Sequence, residues 1–95
     1  MCYIYVLQSE KDGDIYIGHT NNLKRRFNQH NVGKVQSTRR RRPFKMLYYE
    51  CLKNESTAIE REKYMKSGCG RAGLKRLLKR VEFVNKHEFP IDVNL

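Results

Sequence analysis

Tyr3-Ile4-Tyr5-Val6-Leu7, followed after a polar connection by Ile15-Tyr16-Ile17-Gly18, is the stretch from which the rest of the fold can be read. Each run is rich in β-branched and aromatic residues, the composition that suits a pleated, half-buried surface. The connection from Ser9 to Asp14 is polar and carries Gly13. The two runs therefore predict a hairpin, with Gly18 ending a short second strand. Strand alternation puts Tyr3, Tyr5 and Leu7 on one face and Cys2, Ile4 and Val6 on the other.

Working outward, Asn21 or Asn22 can cap a helix that starts near Leu23 and runs towards Asn31. Residues 33–43 read as a basic loop. Phe44 to Cys51 reads as a third strand, well buried because Met46, Leu47 and Tyr48 follow one another. Thr57-Ala58-Ile59-Glu60 has the spacing of a capping box and predicts a second helix to about Lys66, broken by Gly68 and Gly70. From about Arg71, the residues Leu74, Leu77, Leu78, Val81 and Val84 form the apolar stripe of a third helix. The expected order is β-β-α-β-α-α. This is an α+β fold, a small three-stranded, mainly antiparallel sheet flanked by helices. A chain of 95 residues makes one domain. That domain is expected to span residues 1–88, with residues 89–95 as a C-terminal tail beginning at Phe89-Pro90.

Charge narrows the function. Twenty Lys and Arg against ten Asp and Glu give a net +10. From Ile15 to Tyr49 there is no acidic residue, yet the stretch holds Lys24, Arg25, Arg26, Lys34, Arg39, Arg40, Arg41, Arg42 and Lys45. Clustering of one sign is the electrostatic footprint of a phosphate-backbone binder. A solvated basic surface, or an acidic protein partner, is the alternative. No apolar run approaches the ~20 residues of a bilayer span. Met1 to Ser9 lacks the basic start and small-residue cleavage site of a signal peptide. Cys2, Cys51 and Cys69 form no C-x-x-C pair, and His19, His30 and His87 add no zinc spacing. The expectation is a cytoplasmic protein with reduced thiols.

Helical geometry separates surface charges from candidate site residues. In the first helix, Arg26 and His30 fall within about 60° of Leu23 and share the face that Leu23 and Phe27 bury, whereas Arg25 points outward. A cation and an imidazole on such a face are costly unless paired or lining a cleft. Arg26 is then either half of a structural ion pair or a phosphate contact. His30 is either a hydrogen-bonded core histidine or a site residue. In the second helix Glu62 lies among Ala58 and Met65, while Glu60 faces outward. An inward carboxylate in so basic a chain is a partner of an inward Arg or a metal ligand. One such Glu is sufficient for Mg²⁺, which is commonly held by one or two carboxylates plus water and substrate oxygens.

Together these residues resemble a family pattern. Tyr3-Ile4-Tyr5 and Tyr16-Ile17-Gly18 are similar to the paired motif that names the GIY-YIG nucleases, with Tyr3 standing where the name has Gly. Thr20-x-x-Leu23-x-x-Arg26-x-x-x-His30 resembles the family's first-helix signature, and Ala58 to Lys66 its metal-binding helix. The likeness covers Tyr3 to Lys66 and extends to the nuclease half of a DNA-repair excinuclease subunit. It implies a metal-dependent endonuclease that hydrolyses DNA, in repair or recombination, with RNA left open as a substrate. Tyr5 would be the general base, supported by Tyr16. Arg26 would stabilise the scissile phosphate, His30 would assist proton transfer or phosphate contact, and Glu62 would hold one Mg²⁺ or Mn²⁺ ion. Glu60 is a rival ligand by alignment, and the helical angle favours Glu62. His19, beside the motif glycine, is either a border of the site or a surface loop residue. No residue after Glu62 matches the late asparagine of some relatives. With no DNA-reading domain in the sequence, target specificity would be weak or supplied by a protein partner. The other reading is a basic nucleic-acid-binding module with little or no cleavage.

Overall fold

The hairpin forms, and it extends further than the sequence signals suggest. In the computed structural model, which describes residues 1–80, β1 (Cys2–Ser9) pairs antiparallel with β2 (Ile15–Thr20). Tyr5 lies opposite Gly18 and Leu7 opposite Tyr16. The second strand does not end at Gly18, because β1 still offers Ile4 and Tyr3 as partners for His19 and Thr20. β3 (Phe44–Leu52) pairs antiparallel with the other edge of β1, giving the order β2-β1-β3. β1 is thus the central strand. β3 is an edge, so Met46, Leu47 and Tyr48 are half-buried and only Phe44 is buried in that strand. A register shift beside Val6 and Leu7 lets Leu47 and Tyr48 pack towards the same cluster despite being consecutive.

Both faces of β1 are covered. α1 (Leu23–Asn31) is capped by the Asn22 side chain, which accepts from the Arg25 N–H. Its Leu23 joins Tyr5, Leu7 and Phe44 in one buried cluster, with Phe27 and Tyr16 packed against it. On the other face, Cys2, Ile4, Val6 and Ile17 pack with Ala58 and Met65 of α2 (Glu55–Lys66) and Leu74 of α3 (Gly68–Arg80). Ile4, Val6 and Leu7 are fully excluded from water. Burying a side chain of this kind is worth roughly 1.5–3 kcal/mol relative to leaving it exposed. The alternation read from the sequence is the division between the two cores. The fold is the expected α+β, with three antiparallel strands and helices on both faces.

Three expectations about the second half shift. α2 begins at Glu55 rather than after Thr57, because Asn54 is its N-cap and accepts from the Thr57 N–H at 2.9 Å. The capping-box spacing of Thr57 and Glu60 is therefore inside the helix. Ile59 is 38% exposed, and the buried face of α2 is set by Ala58 and Met65. The break after α2 is at Ser67, whose ψ of 165° is extended, and α3 starts at Gly68 rather than near Arg71. Gly70 serves close approach: a Cβ there would lie 1.8 Å from the Tyr64 carbonyl oxygen. Residues 33–43 include one ordered turn of 3-10 helix, Arg39–Arg41. Val81, Val84, His87, the domain limit at 88 and the tail 89–95 lie outside the described residues.

The cap assignment is testable by urea unfolding. Asn54→Ala should cost about 1 kcal/mol of stability, the usual cost of losing an N-cap. Thr57→Ala, at an exposed position past the cap, should change it by less than about 0.5 kcal/mol. The reverse ranking would restore the capping box.

Candidate active site

Tyr5 projects from the central strand across Gly18 of its neighbour. A Cβ at residue 18 would lie 2.6 Å from the Tyr5 hydroxyl oxygen and 3.1 Å from the Tyr16 ring. Only glycine leaves room for the phenol to lie there. The hydroxyl stands 2.9 Å from Nε2 of His30, which is fully buried. The Tyr16 and His30 rings meet edge-on with centroids 5.0 Å apart, and Tyr5 and Tyr16 are 6.2 Å apart. Phe44 closes the far side of His30 at 5.9 Å. His30 Nδ1 lies 2.8 Å from Oγ1 of Thr38, another fully buried side chain. The inward face of α1 thus carries a hydrogen-bonded imidazole, as its helical position required.

The electrostatics of this group are specific. Burial pushes the Tyr5 phenol up to about 12; the Arg26 guanidinium opposes that shift, while Tyr16 and Glu62 add to it. With His30 as its hydrogen-bond partner, four of the expected site residues therefore act on one hydroxyl. Burial, with a smaller contribution from the nearby Arg26 cation, lowers His30 to about 4. At neutral pH His30 is a neutral imidazole, with one ring nitrogen free to accept a proton. Arg26 is half-buried and also donates to Gln29 Oε1 at 3.1 Å.

Glu62 approaches from the other side of β2. Ile15, Ile17 and His19 alternate onto the face that α2 covers, and His19 Nδ1 lies 2.6 Å from Glu62 Oε1. Lys66, one turn on, donates to Glu62 Oε2 at 2.6 Å. Burial alone would raise the Glu62 carboxyl, but the bonds from Lys66 and His19 outweigh it and hold the carboxyl below its ordinary value. Glu62 partners these two groups rather than Arg26, so the structural Arg26–Glu62 pair does not form. Glu60 is exposed, as its angle indicated. His19 is a strand residue in contact with Glu62 and not a surface loop histidine. Carrying the alternation of Ile15 and Ile17 one step past Gly18 would have found it. Thr38 gave no such signal, since its neighbours follow no period.

The basic residues differ in exposure: Lys24, Arg25, Lys34, Arg39, Arg40 and Arg42 are exposed, whereas Arg41 and Lys45 are half-buried. Arg41 pairs with Asp12 at 2.8 Å and stacks over Phe44. Lys45 sits opposite Gln8 and lines a cavity of about 320 Å³ with Leu78 and Lys79 of α3, on the face away from α1.

Comparison with known proteins shows what the chain is similar to. A family model of the GIY-YIG catalytic domain matches residues 1–75. A UPF0213 protein of Bacillus licheniformis is 45% identical over 65 residues, which cover 67% of this chain and 66% of that protein. A UPF0213 protein of Streptococcus agalactiae is 41% identical over 73 residues, covering 76% of this chain and 82% of the relative. The solution NMR structure of a UPF0213 protein from Bacillus halodurans matches with a TM-score of 0.50 at 31% identity, covering 81% of this chain and 85% of that one.

The neutral state of His30 predicts a pH dependence. The folded chain resists protonating a ring lowered from 6.5 to about 4, so the unfolded chain binds the proton first as pH falls. Stability present above about pH 6.5 should fall by about 2 kcal/mol between pH 7 and pH 5 on this account. Urea unfolding at the two pH values should show that loss, and His30→Gln should flatten it. An unchanged pH slope in the variant would mean that the loss arises elsewhere.

Proposed function

The chain belongs to the GIY-YIG family, a nuclease superfamily, and on that premise we propose that it is a metal-dependent endonuclease hydrolysing DNA phosphodiester bonds. The observation that carries the proposal is the buried Tyr5–His30 hydrogen bond with Arg26 beside it. A phenol lifted to about 12 is a poor base by itself. Linked to a neutral imidazole, it can take a proton from the attacking water while passing its own to Nε2 of His30. Arg26 would meet the negative charge that develops on the phosphate. Tyr16 packs against both rings and keeps the phenol directed at its partner.

Glu62 suits one hard divalent ion, Mg²⁺ or Mn²⁺. It is a half-buried carboxylate held ionised, and no group of three or more His, Cys, Asp or Glu converges among the described residues. Such an ion would take its remaining ligands from water and phosphate oxygens. When bound, it supplies Lewis-acid stabilisation of the charge on the phosphoryl oxygens. The cations of α1 and of the turn at residues 39–42 would follow the backbone of DNA, with RNA left open as a further substrate. DNA repair or recombination is the proposed setting, with specificity supplied by a protein partner. No helix among the described residues is long and apolar enough to cross a membrane. A non-cleaving nucleic-acid-binding module is the second reading. What favours it is that both Glu62 oxygens are already engaged by His19 and Lys66.

Plasmid and branched DNA, incubated with Mg²⁺, Mn²⁺ or EDTA, separate the two. Cleavage should require the metal, and Tyr5→Phe or Glu62→Gln should lower it by on the order of a hundredfold or more, the scale of acid–base catalysis. Full activity in either variant would sink the mechanism, and binding without cleavage in the wild type would establish the second reading.

Affinity should respond separately. Neutralising Arg39, Arg40 and Arg42 should weaken DNA binding and reduce the slope of log K against log salt by about 0.9 for each phosphate no longer neutralised. Arg41→Ala should change it least, because Asp12 already offsets that charge. An unaltered slope in the triple variant would mean that the turn faces away from DNA.

A further inference from the structure

Thr38 is fully buried, although the segment around it is largely polar and basic. Its Oγ1 lies 2.8 Å from His30 Nδ1 and 3.5 Å from the carbonyl oxygen of Val35. A hydroxyl carries one proton, and a carbonyl oxygen can only accept. The Val35 carbonyl already accepts from the Thr38 and Arg39 N–H groups at 3.1 and 2.9 Å, so the Thr38 hydroxyl contact to it is a weak one. The other end of the ring is more telling: the buried Tyr5 hydroxyl lies 2.9 Å from Nε2, and with Nε2 accepting the phenol proton, Nδ1 bears the ring proton and donates to Thr38 Oγ1. The opposite tautomer would present an N–H to Tyr5 and remove the acceptor. Resting on the nuclease reading, we propose that Thr38 is a positioning residue that holds His30 in the Nδ1–H tautomer, so that Nε2 can take the Tyr5 proton.

The placement of Thr38 adds a second consequence. Its carbonyl accepts from the Arg41 N–H at 2.9 Å, and its own N–H donates to Val35 at 3.1 Å, so it forms the start of the basic turn. That turn is also tied to the β1–β2 hairpin, because Ser9 Oγ donates to the Arg41 carbonyl and Lys11 Nζ to the Arg40 carbonyl. The hydroxyl that orients His30 is therefore fixed by the segment whose arginines would meet the phosphate backbone.

The test uses the full chain, uniformly labelled with ¹⁵N, and long-range ¹H–¹⁵N correlation of the His30 ring at neutral pH. The wild type should show a pyrrole-like Nδ1 and a pyridine-like Nε2. Thr38→Val removes the hydroxyl with little change of shape and leaves a buried N–H without an acceptor. The ring should shift towards the Nε2–H form, and kcat for DNA cleavage should fall on the order of tenfold to a hundredfold, the scale seen when a partner orienting a histidine is removed. KM should stay within about twofold, because no phosphate-binding group is removed. Thr38→Ser should restore both the ring signature and most of kcat. An Nε2–H ring in the wild type, a Thr38→Val ring with the wild-type signature, or a Thr38→Ser protein that behaves as the valine variant would each overturn the proposal. The wild-type spectrum decides the tautomer even if the valine variant does not fold. A wild type with the expected ring that cleaves no DNA would overturn the nuclease reading and keep Thr38 as the residue that sets His30.

Discussion

A central strand covered on both faces leaves no polar atom free to reach water. β1 meets that constraint with its backbone paired to β2 and β3 and with apolar residues at nearly every position. Ser9, buried at its end, donates to the Arg41 carbonyl; the other buried exception is Tyr5. Its ring fills the core beneath α1, and its hydroxyl needs a partner, since a buried polar group left unpaired costs about 1–3 kcal/mol. His30 meets the hydroxyl and Thr38 meets His30, and the buried side-chain polar atoms are all paired among the described residues. The candidate chemistry is therefore not mounted on a finished scaffold. It completes the core on that face, and the same bonds that order the phenol order the loop carrying Arg39 to Arg42.

Much of this is legible in the sequence where periodicity applies. Alternation along residues 2–7 sorts the two cores. The helical angle puts Arg26 and His30 on the inner face of α1, and it separates half-buried Glu62 from exposed Glu60. What escapes lacks a period or has two competing signals. Asn54 and Thr57 are both good N-caps three residues apart, and local spacing cannot say which one the tertiary packing of Ala58 and Met65 selects. Gly18 reads as a terminator, because glycine weakens a strand interior. In the fold its missing side chain is what the Tyr5 ring occupies, and ending the strand there hides His19. Thr38 lies in a loop, and only the folded chain brings it to a residue eight positions earlier.

On the proposed reading, the position of β2 at the sheet edge would let residues from opposite faces serve one reaction. Tyr5, Tyr16 and His30 gather on the α1 side, and Glu62 and His19 on the α2 side. A phosphodiester lying along an open edge is accessible from both. The family resemblance singles out the tyrosines. The geometry supplies independent reasons for Arg26, His30 and Glu62, each of which acts on or bonds within the group.

The charge balance at Tyr5 then links the two sides. Glu62 adds to the upward shift of the phenol, and Arg26 opposes it. A phosphate arriving at Arg26 would cancel part of that opposition and make the phenol still harder to deprotonate. A cation held at Glu62 changes the sign of the field from the other side, offsetting the carboxylate and the incoming phosphate together. Lys66 already shows that a positive charge is accommodated there, 2.6 Å from Oε2. On the proposed reading a single carboxylate would suffice, because a cation held there need not be locked in a cage of ligands. It would have to stand where its field reaches Tyr5 when substrate is present, with the neutral His30 ready to receive the proton.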